Sequence, residues 1–234
     1  MDQQFRGGLR IAFFGGSFDP PHLGHLGVAR AARAALGLDT VLFAPVGTQP
    51  LKPQGTVAGF EDRLAMTRLA IADEPGFALS LADAPQSSGT PNYTLETLLA
   101  LRDLLPHENT LFCLMGADSF AGFSRWHRAA EIPFVAHLIV ASRSGQLLDN
   151  LDSALPNGLT IEAVPAPDKI ESSIALRRFI LRDPAGRQAP FYLLPGLHID
   201  ISASDIRDQI RNQAHPALLP PPVLEYIRAR NLYH

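Results

Sequence analysis

The chain has 234 residues, 46% of them hydrophobic and 18% charged, with a formal net charge of −3. That balance suits a well-buried soluble domain and excludes a disordered chain, and without a dense Lys/Arg tract it argues against a general nucleic-acid binder. The apolar runs Leu111–Met115 and Phe134–Ala141 are too short to cross a bilayer. The opening MDQQFRGG has no secretory-signal pattern, and the single cysteine, Cys113, excludes an intrachain disulfide. A cytoplasmic protein with no membrane partner and a buried Cys113 thiol is expected.

Leu9–Phe14 reads as a first strand ending at Gly15-Gly16, and Ala/Leu-rich Leu23–Leu36 as a helix. Thr40–Ala44 is a second strand. A Gly/Pro/Gln-rich loop runs from Pro45 to about Gly59, and Glu61–Ala72 returns to helical periodicity. Phe77–Leu81, Leu111–Met115 and Ala136–Ala141 read as strands, Leu95–Leu105 as a helix, and Gly116-Ala117-Asp118 as a turn. Asp149–Pro167 is rich in turn formers and takes no assignment. Ser173–Leu181 reads as a helix, Phe191–Leu194 as a last short strand, and Ser204–Gln213 and Pro222–Arg230 as final helices. Strands alternating with helices of ten or more residues predict an α/β, doubly wound, mostly parallel sheet covered on both faces. Residues 1–234 are expected to form one domain, with a small helical part at about residues 200–234.

The sharpest signal is Gly15-Gly16-Ser17-Phe18-Asp19-Pro20-Pro21-His22-Leu23-Gly24-His25, between the first strand and first helix. Ligands bind at such junctions in this architecture. Gly15, Gly16 and Gly24 allow unusual backbone geometry and close ligand approach, and a helix start offers unpaired N–H groups to phosphate oxygens. His22 and His25, three residues apart, can face one side of the first turn and donate to a triphosphate. The blander reading is a Gly/Pro turn with one capping and one packing histidine. Neither Gly-x-Gly-x-x-Gly nor the P-loop pattern is present, which points away from a dehydrogenase and from a γ-phosphate kinase.

That block resembles the nucleotidylyltransferase superfamily with its His-x-Gly-His signature, and within it the bacterial nicotinate-nucleotide adenylyltransferases. Further blocks agree in order: Pro45–Lys52, Tyr93–Leu98, Met115–Ser119, Trp126-His127-Arg128, Ile201–Arg207 and Pro221–Ile227. Leu51, Glu96, Ala203 and Ser204 depart from the family pattern. The resemblance implies a Rossmann-like fold and transfer of AMP from ATP to nicotinate mononucleotide, giving deamido-NAD and pyrophosphate in NAD biosynthesis. It implies Mg²⁺ carried mainly by ATP phosphates, with no dedicated protein ligands. An amide or pantetheine-phosphate acceptor, or a nucleotide sensor without turnover, are the alternatives, and a homo-oligomer is compatible with the sequence.

On this resemblance His22, His25, Lys52 and Arg207 carry the chemistry. Gly15, Gly16, Ser17, Phe18, Gly24, Ser202 and Ser204 join them in binding ATP. Asp19, Tyr93, Thr94, Asp118 and Trp126 bind the acceptor, with Trp126 as a stacking face. Read without it, Lys52 is a solubilising loop residue, Ser204 an N-cap for the helix after it, Arg207 a surface charge and Trp126 a packing residue. His107, His127, His137, His198, His215 and His234 show no metal-ligand spacing.

Overall fold

Successive residues of the first strand, β1 (Arg10–Gly16), point to opposite sides of the sheet, and both sides are apolar. Ala12 and Phe14 enter one core and Ile11 and Phe13 the other. The structure, a computed structural model, describes residues 8–51, 55–143, 151–165, 176–197, 202–214 and 216–234. After β1 come α1 (Leu23–Leu36), β2 (Thr40–Pro45), α2 (Phe60–Ile71), β3 (Phe77–Leu79), α3 (Thr94–Leu104) and β4 (Thr110–Gly116). The short helices α4 (Ala117–Phe120) and α5 (Ile132–Val135) precede β5 (His137–Arg143), β6 (Thr160–Ala163), β7 (Arg177–Arg182) and β8 (Gln188–Leu197). Helices α6 (Ala203–Arg211) and α7 (Pro221–Ala229) complete the order.

The eight strands form one sheet in the order β3-β2-β1-β4-β5-β8-β7-β6. The β1–β2, β2–β3, β1–β4, β4–β5 and β5–β8 pairs are parallel, and β8–β7 and β7–β6 antiparallel. This is the doubly wound, mostly parallel architecture of Rossmann-like nucleotidylyltransferases. Residues of α1, α2, α6 and α7 share one core with Ala12, Phe14, Phe112 and Leu114. Residues of α3, α4 and α5 share the other with Phe13, Leu111, Cys113 and Met115. The chain runs β1-β2-β3 toward one edge and resumes at β4 on the other side of β1. The loops leaving β1 and β4 therefore diverge, and a crevice opens between them. Among the described residues no helix is long and apolar enough to cross a membrane.

The expected elements recur with shifted ends, and three readings are corrected. The helix expected at Ser173–Leu181 is, over its described part, strand β7. Phe179 and Leu181 alternate into the core, and a tight turn at Asp183–Arg187 pairs β7 with β8. The last strand, expected at Phe191–Leu194, spans ten residues because it is paired on both sides. Gly116-Ala117-Asp118 is not a plain turn: Asp118 lies in the first turn of α4. Cys113 is buried, and burial pushes its thiol up to about 12, so it packs as a small apolar side chain.

Helix α1 ends at Gly37, whose left-handed backbone (φ +57°) caps the helix by donating to the Arg33 carbonyl. No atom would lie within 4 Å of a methyl added there. Gly37→Ala is therefore expected to cost about 1 kcal/mol through backbone strain alone, read as a lower denaturant midpoint with an unchanged slope.

Candidate active site

At the mouth of the crevice the chain leaves β1 through Ser17, Phe18 and Asp19. Phe18 has a positive φ of 46°, and the Asp19–Pro20 bond is cis. The unusual backbone expected of Gly15 and Gly16 falls on Phe18 instead. Both glycines lie in β1, where their value is space: a Cβ on Gly15 would meet the Phe13 ring at 2.8 Å and one on Gly16 the Phe18 ring at 3.2 Å. Phe18, expected among the ATP contacts, is 1% exposed and packs against Phe14, Phe43 and His25. Its ring supports His25 at the crevice wall.

His22 is the N-cap of α1. Its Nδ1 accepts from the Gly24 amide at 3.1 Å, and the His22 amide donates to His25 Nδ1 at 3.2 Å. The two imidazoles form a reciprocal capping box, with ring centroids 3.8 Å apart. Since Nδ1 accepts in both rings, this network assigns the proton to Nε2, making that atom the donor of each ring. Capping and ligand binding were competing readings of these histidines. The geometry shows the capping, each ring through its Nδ1, and places both rings on the crevice wall.

This loop is held from behind. Asp19 is 4% exposed; its carboxylate accepts from the Val57 amide at 2.6 Å, the Ala58 amide at 3.1 Å and the Tyr233 hydroxyl at 2.7 Å. Arg63, 1% exposed, donates to the carbonyls of Ser17, Val46 and Ala58. Burial lowers the pKa of the Arg63 guanidinium, and the charge of Asp19 opposes that shift. Burial beside Asp19 also pushes the Tyr233 hydroxyl up, which keeps it a donor. Asp19, expected at the acceptor, lines the crevice, and its carboxylate forms this clamp. Arg207 donates to the Asp19 carbonyl at 2.7 Å and to Ser204 Oγ at 3.0 Å. The N-cap of α6 is Ser202 rather than Ser204, in a second reciprocal box with Asp205.

The crevice has a volume of about 760 Å³, within the usual range of small-molecule sites. It brings together Gly15, Gly16, Ser17, Gly24, His22, His25, Ser202, Ser204 and Arg207 with Tyr93, Thr94, Asp118 and Trp126. Lys52 lies outside the described residues. Tyr93 is the N-cap of α3 and gives it no side-chain cap, and Thr94 opens the helix at the crevice wall. Trp126 packs edge-to-face on buried Phe123, and Tyr93 lies against His127 with centroids 4.4 Å apart. Among the described residues no three His, Cys, Asp or Glu side chains are grouped to hold a metal ion.

Sequence reasoning missed Arg63, Asp83, Asn92, Arg125 and Tyr233. Asn92 clips two loops together, accepting from the Thr48 amide and donating to the Ala84 carbonyl. Asp83 is a buried carboxyl on the crevice wall. Its Oδ1 accepts from the Thr97 hydroxyl at 2.8 Å. These partners lie far apart in sequence, so local pattern carries no sign of them.

Burial pushes the Asp83 carboxyl up to about 6, with the Thr97 hydrogen bond acting against the shift. Between its ordinary value of 3.8 and about 6, the folded chain holds a proton that the unfolded chain has lost. Stability from this site is thus fully present below about pH 4 and lost as pH rises through 6, a change on the order of 3 kcal/mol. Asp83→Asn keeps an acceptor for Thr97, so it is expected to raise the Tm at pH 8 and flatten the stability profile between pH 4 and 6. Tyr233→Phe removes one of three donors from buried Asp19. It is expected to cost about 1–3 kcal/mol in denaturant unfolding at neutral pH.

Comparison with known proteins agrees with this fold. The cytidylyltransferase-like family model matches residues 13–209. A Dehalococcoides mccartyi protein named "Probable nicotinate-nucleotide adenylyltransferase" is 34% identical over 229 residues, covering 96% of this chain and 97% of its own. A Gloeobacter violaceus protein of the same name is 36% identical over 228 residues, covering 97% of each chain. Among solved structures, the Plasmodium falciparum nicotinic acid mononucleotide adenylyltransferase complexed with NaAD superposes with a TM-score of 0.68 at 17% identity, covering 96% of this chain and 97% of that one, a likeness of fold. With near full-length relatives above 30% identity and a family model spanning both walls of the crevice, the chain belongs to the nicotinate-nucleotide adenylyltransferase family of cytidylyltransferase-like proteins.

Proposed function

We propose that this protein transfers the AMP moiety of ATP to nicotinate mononucleotide, releasing pyrophosphate and forming deamido-NAD. The observation that carries the reading is the reciprocal cap of His22 and His25, which holds two imidazole rings 3.8 Å apart in a crevice at the strand switch point. The acceptor phosphate attacks the α-phosphorus in line, and the α–β bridging oxygen leaves with pyrophosphate. The acceptor phosphate is already anionic, so the step calls for positioning and charge stabilisation rather than a general base. The histidines donate to the oxygens on which charge grows, and Arg207 and Lys52 are assigned to the β- and γ-phosphates.

Among the described residues no cluster of three metal-ligating side chains offers itself to Mg²⁺. Asp19 is taken by two amides and Tyr233, and Nδ1 of each histidine by the helix start. When bound, the ion would be carried mainly by the triphosphate and would supply charge neutralisation for the pyrophosphate leaving group. On the acceptor side Trp126 offers a face to the pyridine ring, and the α3 N-terminus at Tyr93 and Thr94 suits a negatively charged ring substituent.

Purified protein with ATP and Mg²⁺ is expected to form dinucleotide and pyrophosphate in equal amounts with nicotinate mononucleotide, and far more slowly with its amide. Equal use of the amide would sink the acid assignment. Turnover only with pantetheine phosphate, or with no acceptor, would sink the whole reading. His25→Ala is expected to lower kcat about 10²–10³-fold, the usual loss for one preorganised transition-state donor.

A further inference from the structure

We infer that Arg125 is a specificity-determining residue for the acceptor, pairing its guanidinium with the carboxylate on the acceptor's pyridine ring. The inference rests on the function proposed above and deepens it.

Three observations converge on Arg125. It lines the crevice beside Trp126, on the wall formed after β4. Other described basic side chains of that crevice have partners: His127 Nε2 lies 3.5 Å from Glu96, and Arg207 is bonded to the Asp19 carbonyl and Ser204. Arg128, next along the chain, is paired with Glu131 and Glu96. The Arg125 guanidinium makes no hydrogen bond or ion pair with another described residue. A cation left without a carboxylate in a crevice for anionic ligands is poised for an anion on the ligand.

The second observation is its seat. A Cβ on Gly122 would lie 3.0 Å from Arg125 Nη2. Gly122 has φ −100° and ψ 8°, a backbone open to other residues. Its missing side chain therefore serves the guanidinium resting over it and not the chain conformation.

The third is the anchoring of the segment. The Arg125 amide donates to the Gly122 carbonyl, the Trp126 amide donates to that of Phe123, and the Phe123 ring is fully buried against Phe120 and Trp126. Cation and stacking face are thus presented as one rigid unit. With the acceptor phosphate at the histidines, the anion left near the stacked ring is its carboxylate. The amide analogue lacks that charge but keeps the ring, ribose and phosphate.

The test compares wild type, Arg125→Gln, Arg125→Lys and Gly122→Ala with both mononucleotides. It measures kcat/KM and, without ATP, quenching of Trp126, the only tryptophan of the chain. Arg125→Gln is expected to weaken acid binding and kcat/KM about tenfold, the scale of one charged hydrogen bond, and to change the amide values less than about twofold. Arg125→Lys is expected to recover part of the loss, and Gly122→Ala to weaken acid binding selectively by displacing the guanidinium. A parallel loss for acid and amide, or no change with either, overturns the inference. If wild type binds both nucleotides yet forms no dinucleotide, the transfer reading fails, and Arg125 is judged by the same selectivity in the quenching titration. If neither nucleotide quenches Trp126, both readings fail.

Discussion

A carboxylate buried to 4% exposure must be surrounded by donors, and Asp19 finds three of them on two separate stretches of the chain. Two are consecutive amides of the loop entering α2, and the third is the hydroxyl of Tyr233, more than 200 positions away. Arg63 ties the same loops through their carbonyls, so the charge pair is spread over backbone groups and not spent in one direct bridge. The position of His22, three residues past Asp19, follows from this arrangement. Without it the turn after β1 would have to hold a positive φ at Phe18 with nothing to oppose its relaxation.

The capping box turns that fixed backbone into chemistry. An N-cap is usually Ser, Thr, Asp or Asn, whose side-chain oxygen is consumed by the cap. An imidazole has two nitrogens on opposite sides of the ring. One can cap while the other serves a second partner, a capacity on which the proposed transfer draws. Phe18 meets the His25 ring edge-to-face and Phe14 packs tilted against it, so the ring is backed by buried aromatics.

Asp83 shows the opposite balance. Its burial disfavours the charged form at neutral pH, and the Thr97 hydroxyl offsets only part of that. A group retained at such a cost on the wall of the crevice fits the general observation that strained or mismatched positions gather where ligands bind.

The strand–helix alternation, the apolar runs and the Gly15–His25 block were legible in the sequence because each rests on neighbours within a few residues. Strand periodicity, helix periodicity and a cap three residues long are local physics, and they determined the parallel sheet, the crevice at its switch point and the two histidines. The β7 strand was misread because its pairing partners, not its own composition, decide its state. The tertiary structure alone decided that Asp19 serves a clamp, that Arg63 and Tyr233 complete it, and that Arg125 stands without a partner among the described residues. Burial and hydrogen-bond satisfaction are set by residues brought together from distant parts of the chain, and no local pattern encodes them.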